Sequence, residues 1–256
     1  MQPRVGLFVT CLVDLMRPSV GFAAARLIED AGCTVTVPTG QTCCGQPAYN
    51  AGDRKTAREL ALQTIRAFGD CDFVVAPSSS CAAMLRLHYP ALFKGQGETE
   101  LEAKAFAERV HELTDFLANV RRKTETSARF VGRVVHHDAC AGLRELGIKN
   151  APRRLLSSVA GLELVEAPET TACCGFGGLF SVKYPEVSTA IADRRIEDLT
   201  STAPDLVTAG DLGCLIHLAG RLHRTGNPLP CRHVAEVLAG ELAAPPIAGR
   251  AGDTAP

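Results

Sequence analysis

The sequence predicts an α/β fold with two pseudo-repeated lobes, each a small parallel sheet with helices packed on it. Short apolar runs typical of buried strands alternate with longer segments whose apolar residues recur at helical spacing. This alternation is the pattern of parallel sheets covered by helices. The same order of elements then occurs a second time, so the second lobe is predicted to repeat the first.

The repeat is marked by cysteines at corresponding positions. Each half contains a Cys-Cys-Gly triplet, at residues 43–45 and at residues 173–175. In each half an apolar strand segment ends on an earlier cysteine, with 31 intervening residues in the first half and 32 in the second. A later strand segment leads to another cysteine after 36 and 39 intervening residues. These matched spacings indicate an internal duplication.

The segments between the predicted strands have the features of helices. Residues 17–32 carry apolar side chains on one helical face and stop at Gly32. Residues 54–69 repeat this pattern and stop at Gly69. In the second half Pro185 stands at a favoured first position of a helix. Strand and helix therefore alternate in both halves.

These patterns divide the chain into four segments. We expect the first lobe at residues 1–120, a linker at 121–132 and the second lobe at 133–242. The last segment, 243–256, is rich in small residues and proline, which predicts a disordered tail.

The composition limits the cellular location and the class of partner. With 256 residues, 46% of them hydrophobic, the chain can form packed cores. A formal net charge of −1 provides no basic surface for nucleic acid. We recognise neither a signal peptide nor a stretch of about 18 apolar residues, so we expect a cytoplasmic protein without a membrane span.

The eleven cysteines indicate metal binding rather than a disulfide framework. The cytosol keeps thiols reduced, and an odd number of cysteines cannot pair completely. A disulfide between adjacent cysteines is also strained, because the bridge requires Cα atoms farther apart than a trans peptide usually allows.

Parallel strands bring their carboxyl ends, and the loops that follow them, to one edge of the sheet. We therefore expect four thiols to gather at that edge in each lobe. The first quartet comprises Cys11, Cys43, Cys44 and Cys81, and the second quartet comprises Cys140, Cys173, Cys174 and Cys214. Four thiolates are the usual ligand set of an iron–sulfur cluster. Zinc remains the alternative, although its structural sites favour two closely spaced cysteine pairs.

Five segments give the chain a specific resemblance to a known family: "CLVDLMRPSVGFAAARLIEDAGCTV", "GQTCCGQPAYNAG", "PSSSCAAMLRLHYP", "CCGFGGLFSVKYPEVS" and "AGDLGCLIHLAGRL". They resemble the lactate-utilization protein A family. The Cys-Cys-Gly elements also resemble the cysteine-rich (CCG) domain of the heterodisulfide reductase catalytic subunit and of the glycolate oxidase iron–sulfur subunit. The resemblance implies an oxidoreductase subunit that transfers electrons in a cytoplasmic complex oxidising L-lactate to pyruvate.

The same resemblance implies two partner proteins. One is expected to be a ferredoxin-type iron–sulfur protein, because this chain lacks the closely spaced cysteine run of ferredoxins. The cysteines alone do not separate lactate from glycolate, glycerol phosphate or a heterodisulfide as the substrate. They also leave open a zinc-stabilised interaction module without redox activity. No catalytic acid or base is assigned.

The fullest form of the domain carries a fifth cysteine, three residues after the last cysteine of each quartet. This chain has Met84 and His217 there. The departure favours two ordinary 4Fe–4S clusters over the non-cubane form, with His217 as a candidate additional ligand.

Three cysteines and one polar segment stand outside the quartets. Cys33 and Cys71 precede strands, at the opposite end of the sheet, and Cys231 opens the last helical segment. We interpret all three as structural thiols. The segment His136–Asp138 is interpreted as a strand-end loop bonded to the backbone, with proton handling as the alternative. Phe180 stands where a dinucleotide motif needs glycine, so no bound nucleotide or flavin is expected.

Overall fold

A computed structural model describes residues 2–248 of the chain. The strands within these residues are β1 (Arg4–Leu7), β2 (Thr34–Thr36), β3 (Phe73–Ala76), β4 (Val110–Glu112), β5 (Arg129–His137), β6 (Ala160–Val165), β7 (Leu206–Ala209) and β8 (Cys231–His233). The inner strands β3 and β7 are four residues long, mostly apolar and largely buried, as expected for parallel sheets covered on both faces.

Helices connect these strands. They are α1 (Cys11–Met16), α2 (Pro18–Asp30), α3 (Gln46–Ala51), α4 (Arg54–Ala67), α5 (Ser79–Ala83), α6 (Tyr89–Leu92), α7 (Glu98–Glu108), α8 (Leu113–Asp115), α9 (Asn150–Leu156), α10 (Leu179–Lys183), α11 (Pro185–Thr200), α12 (Leu212–Arg224) and α13 (Val234–Ala239). Three π-helical segments, Met84–His88, Phe116–Val120 and Ala141–Glu145, follow α5, α8 and Cys140. Among the helices of the described residues, none is long and apolar enough to cross a membrane.

Each lobe contains one four-stranded parallel sheet, and the two sheets have the same topology. The strand order is β2-β1-β3-β4 in the first lobe and β6-β5-β7-β8 in the second. Val5 lies opposite Phe73 in the first sheet, and Val134 lies opposite Leu206 in the second. The predicted α/β fold with two pseudo-repeated lobes is confirmed.

One apolar core joins the two lobes. It contains buried residues of both sheets, such as Val5 and Val134, together with the inner faces of α2 and α13. Helix α13 of the second lobe packs on α2 of the first. Across this contact the Nε atom of Arg17 lies 2.9 Å from the carboxylate of Glu236, which is fully buried. Because this core is shared, neither lobe covers its apolar surface alone.

The first strand of the second sheet begins inside the segment predicted as a linker. Strand β5 begins at Arg129, so residues 129–132 of the predicted linker already belong to the second sheet. The pairing of β5 with β6 is irregular between Arg129 and Gly132. In the sequence, Gly132 and Arg133 interrupt the apolar run of this strand.

The first part of the predicted disordered tail, residues 243–248, contacts the second sheet. The Ile247 N–H donates to the carbonyl of Cys231 at 2.9 Å. The Arg232 guanidinium donates to the carbonyl of Ala244 at 2.7 Å. These contacts hold residues 243–248 against β8, because the buried arginine needs acceptors that the tail supplies. The rest of the predicted tail, 249–256, lies outside the described residues.

The helices that follow β3 and β7 begin against each other at the lobe interface. Ser78 caps α5 by accepting from the Cys81 N–H at 3.3 Å, and Asp211 caps α12 by accepting from the Gly213 N–H at 3.1 Å. The Ser78 hydroxyl also donates to the Asp211 carboxylate at 3.0 Å. This contact fixes the two first turns that carry Cys81 and Cys214 relative to each other.

Candidate metal centres

The structure brings the four thiols of the first quartet together beyond the carboxyl ends of β1, β2 and β3. Cys11 begins α1, Cys43 and Cys44 lie in the loop between β2 and α3, and Cys81 lies in α5. The Cys11 and Cys43 sulfurs are 3.9 Å apart. Cys43 and Cys81 both raise the pKa of Cys44, which places its sulfur next to theirs. The quartet is therefore a continuous group of sulfur atoms.

The second quartet has the same arrangement at the edge of the other sheet. Cys140 precedes a π-helical segment after β5, Cys173 and Cys174 follow β6, and Cys214 lies in α12 after β7. The Cys174 and Cys214 sulfurs are 3.1 Å apart. Cys140 and Cys174 both lower the pKa of Cys173, which places their sulfurs next to it. All eight cysteines that the sequence groups into quartets thus lie with their predicted neighbours.

One sulfur of each quartet has a lowered pKa, which favours its thiolate form. Hydrogen bonds from Cys11 and then Cys44 lower the pKa of Cys43 to about 2. The equivalent bonds around Cys173 lower its pKa to about 2. The hydrogen bond to Cys43, followed by burial, raises the pKa of Cys11. Metals bind thiolates, so the donating thiols must release their protons when a metal occupies the quartet.

The glycine of each triplet turns the chain back toward the sulfur atoms. Its φ angle is +83° at Gly45 and +85° at Gly175. The two glycine N–H groups donate to the sulfurs of Cys43 and Cys173, at 3.5 and 3.3 Å. A Cβ atom on Gly175 would lie 2.5 Å from the carbonyl oxygen of Ser188. Glycine is therefore needed here both for the backbone conformation and for the close approach to α11.

A cavity of about 460 Å³ opens at the second quartet. All four cysteines of that quartet line it, and Gln46, Pro47 and Asn50 of the first lobe form part of its wall. The donor set offered by the quartet consists of sulfur alone, which suits zinc or an iron–sulfur cluster rather than a hard cation. The residues present therefore fit a sulfur-bound metal or cluster.

His137 lies beside the second quartet as the last residue of β5 and is fully buried. One of its ring nitrogens lies within 4.8 Å of the Cys174 and Cys214 sulfurs. Its Nδ1 atom accepts from Nε of Arg195 at 3.0 Å. Burial, and then the charge of Arg195, lower the pKa of His137 to about 3. The sequence interpretation assigned this residue to a loop, and its position three residues before Cys140 was the only signal of a role at the quartet.

The other two members of the polar segment have different surroundings. Burial lowers the pKa of His136 to about 4. The Asp138 carboxylate accepts from both terminal nitrogens of Arg153, at 2.9 and 2.7 Å. Asp138 is therefore held by an ion pair with α9, in agreement with a structural role.

The positions of the missing fifth cysteines differ between the lobes. Met84 is fully buried in the apolar cluster that also contains Cys44 and Cys81. His217 is partly buried, and its Nε2 lies 3.2 Å from the hydroxyl of Ser188. A role of His217 as an additional ligand stays a prediction.

The three remaining cysteines are buried outside both quartets. Cys33 precedes β2 and Cys71 precedes β3, at the end of the sheet opposite the first quartet. Cys231 begins strand β8, so its expected place at the start of a helix is wrong. A small apolar thiol fits a buried strand, and burial raises the pKa of Cys231 to about 12. An inert packed thiol explains each of these residues.

Comparison with protein families gives a match to each lobe. The family described as CCG, a cysteine-rich domain, matches residues 5–86 and residues 134–219. Each match begins in the first strand of its lobe and extends past the last cysteine of the quartet. Together the two matches cover more than half of the chain.

Similar curated proteins extend over nearly the whole chain. Lactate utilization protein A of Geobacillus thermodenitrificans and of Geobacillus kaustophilus are each 48% identical over 92% of this chain and 98% of their own. Lactate utilization protein A 2 of Bacillus cereus is 43% identical with the same coverage.

Among solved structures, an ABC transporter solute-binding protein of Conexibacter woesei aligns at 15% identity with a TM-score of 0.25, covering 90% of this chain and 69% of that one. This similarity is too low to support an argument. The near-complete alignments at 43–48% identity and the two CCG matches confirm the resemblance seen in the sequence. The chain belongs to the lactate utilization protein A family and contains two CCG cysteine-rich domains.

Proposed function

We propose that this chain is the iron–sulfur electron-transfer subunit of a cytoplasmic complex that oxidises L-lactate to pyruvate. Each quartet holds one cluster, of the 4Fe–4S type. The observation that carries the proposal is the gathering of eight of the eleven cysteines into two sulfur groups at equivalent sheet edges. The lactate reaction is taken from the names of the relatives, which are lactate utilization proteins.

The chain's own residues provide what such a centre requires. When bound, a 4Fe–4S cluster supplies one-electron redox chemistry. Cys44 and Cys81 are buried and keep water from the inner side of the first quartet. Cys11 and Cys43 are only partly buried and lie on the outer side, where electrons enter or leave. The triplet glycine contributes its N–H to a cysteine sulfur, which stabilises the thiolate charge.

Two centres in one chain suit the stoichiometry of the reaction. Oxidation of L-lactate to pyruvate releases two electrons and two protons. One electron on each quartet's cluster accounts for the electron pair. The protons and the substrate are handled in the complex with its two partner proteins, one of them a ferredoxin-type iron–sulfur protein.

The metal content tests the first part of this proposal. The protein is purified without oxygen and reconstituted with iron and sulfide. We expect absorption near about 400 nm and about eight iron atoms per chain, as two four-iron clusters require. A colourless protein with stoichiometric zinc would instead support an interaction module, because a sulfur-only donor set also suits zinc.

The substrate is tested with the complete complex. The chain is produced together with the two proposed partner proteins, and bleaching of the cluster absorption is followed after each substrate is added. We expect L-lactate to reduce the centres. Reduction by glycolate or glycerol phosphate instead, or oxidation of the reduced centres by a heterodisulfide, would reassign the substrate while leaving the electron-transfer role intact.

A further inference from the structure

The two lobes differ at one position next to the quartets. The residue three places before the first cysteine is Phe8 in the first lobe and His137 in the second. Phe8 directly follows β1, and His137 is the last residue of β5. Both are fully buried. Phe8 packs on Phe68, with ring centroids 5.8 Å apart, in the apolar cluster that contains Cys44 and Cys81.

The helix residue that faces this position also differs between the lobes. The buried residues of α4 are Ala57, Ala61 and Thr64, and the corresponding face of α11 carries Ser188, Ala192 and Arg195. Arg195 therefore stands where the first lobe has Thr64. Where the first lobe has Phe8 and Thr64, the second lobe has His137 and Arg195, which are hydrogen-bonded to each other.

Arg195 fixes which nitrogen of His137 carries the proton. The arginine is itself held in place, because it donates to the carbonyl of Glu169 at 2.7 Å and pairs with the carboxylate of Asp198. Its Nε–H donates to Nδ1 of His137, so Nδ1 carries the lone pair. A neutral imidazole with an unprotonated Nδ1 has its proton on Nε2.

The remaining donor of the ring has no partner in the protein. Within the described residues, Nε2 of His137 is buried and makes no hydrogen bond. A buried donor without an acceptor is unfavourable, because it has lost its hydrogen bonds to water. The second quartet offers sulfur acceptors beside the ring, since a ring nitrogen of His137 lies within 4.8 Å of the Cys174 and Cys214 sulfurs.

We propose that His137 donates its Nε2–H to a sulfur of the centre held by the second quartet and so raises the reduction potential of that centre above that of the first. This inference rests on the proposed iron–sulfur function. Hydrogen bonds to the sulfur atoms are one of the factors that set cluster potentials. The first centre has Phe8 at this position and receives no such bond. His137 is a positioning residue that tunes the centre and is not a ligand.

Unequal reduction potentials would set the direction of electron transfer between the two centres. With a cluster bound at each quartet, a single electron would favour the second centre over the first. The second quartet is also the one that opens to the cavity of about 460 Å³. The electron is therefore held at the side of the chain that faces this cavity.

A redox titration of the reconstituted full chain, followed by electron paramagnetic resonance, tests the difference. Cys43→Ser and Cys173→Ser, which each disrupt one quartet, assign the signals to the lobes. In the wild type we expect the second centre to be reduced first. His137→Phe, which reproduces the first lobe, should lower its potential by about 59 mV, equivalent to a tenfold change in the one-electron equilibrium.

The matched control is Phe8→Leu, which changes the same position in the first lobe without adding a donor. It should leave the second centre unchanged. His137→Gln retains an N–H donor and should restore part of the loss. Iron content is measured first for every variant. Full iron with an unaltered second potential in His137→Phe would overturn the inference, whereas a wild type without iron would overturn the proposed function itself.

Pulsed resonance on the wild type separates a donor from a ligand, even where the variants lose iron. We expect an exchangeable proton near the second centre in addition to those of the Gly175 and Phe176 N–H groups, lost in heavy water and with only weak coupling to histidine nitrogen labelled with ¹⁵N. Strong coupling to that nitrogen would show an iron–nitrogen bond and would overturn the inference. Absence of this additional exchangeable proton would overturn it equally.

Discussion

The two lobes share their topology and the placement of their thiols, but they differ in the side chains around them. The first quartet is backed by the apolar residues Phe8 and Met84. The second quartet is backed by His137, which is bonded to Arg195, and it opens to a large cavity. The comparison teaches that the duplicated scaffold sets where the sulfur atoms lie, whereas a few buried polar residues distinguish what each quartet can do.

The largest expected effect comes from breaking one quartet at a time. Cys43→Ser and Cys173→Ser each remove the thiolate of one lobe. Each should lower the iron content from about eight to about four atoms per chain, because the other quartet is complete. Iron analysis and absorption measure the loss. Cys33→Ser is the control and should retain all the iron. Loss of iron from both lobes after either single change would contradict two separate centres.

The next comparison concerns equivalent acids after the edge strands. Glu236 follows β8 and is buried against Arg17 of the other lobe, whereas Asp115 follows β4, is partly exposed and accepts from Asn119. Glu236→Gln breaks a buried ion pair and should lower the free energy of unfolding by about 3–5 kcal/mol. Asp115→Asn should cost less than about 1 kcal/mol. Denaturant unfolding of the metal-free protein measures both losses. Equal losses in the free energy of unfolding would contradict a buried ion pair between the lobes.

The triplet glycines provide a sharper test of packing. Both have positive φ angles, but a Cβ on Gly175 would lie 2.5 Å from the nearest atom and one on Gly45 would lie 3.5 Å from it. Gly175→Ala combines backbone strain with overpacking and should cost about 2–4 kcal/mol. Gly45→Ala adds only the strain, about 1–2 kcal/mol. Urea unfolding of both variants gives the difference, and a larger loss for Gly45→Ala would reverse the expected order.

The last comparison concerns the dependence of stability on pH. Glu112 caps α8, and its counterpart that caps α13 is His233. Burial raises the pKa of Glu112 from 4.5 to about 7. Its protonated form therefore contributes stability that is fully present below pH 4.5 and is lost as the pH rises through 7.

The contribution of this proton amounts to at most about 3 kcal/mol. Glu112→Gln keeps a side-chain oxygen for the cap but cannot ionise. The free energy of unfolding of the variant should exceed that of the wild type by more at pH 7.5 than at pH 5. A difference that does not change with pH would refute the raised pKa.

The sequence predicted the parts of this structure that local pattern determines. A cysteine at the end of an apolar run marks the carboxyl end of a strand, and parallel pairing then brings such ends together, which located both quartets. The edge strands β4 and β8 were not anticipated, because three residues are too few to show a period.

The remaining features depend on contacts between distant parts of the chain. The tautomer of His137 follows from Arg195, which lies 58 residues later in the sequence. The shared core follows from the packing of α13 on α2, and helical spacing shows which face is apolar without showing what covers it. The contact of the start of the tail with β8 depends on the buried Arg232 in the same way.

The covalent joining of the two lobes has a consequence for how their chemistry can diverge. The caps Ser78 and Asp211 meet across the interface as equivalent positions occupied by different residues. Two identical chains in a symmetric dimer would present either two hydroxyls or two carboxylates at that meeting point. A single polypeptide escapes this constraint, since a substitution in one half leaves its counterpart untouched, and a donor can thus be matched with an acceptor.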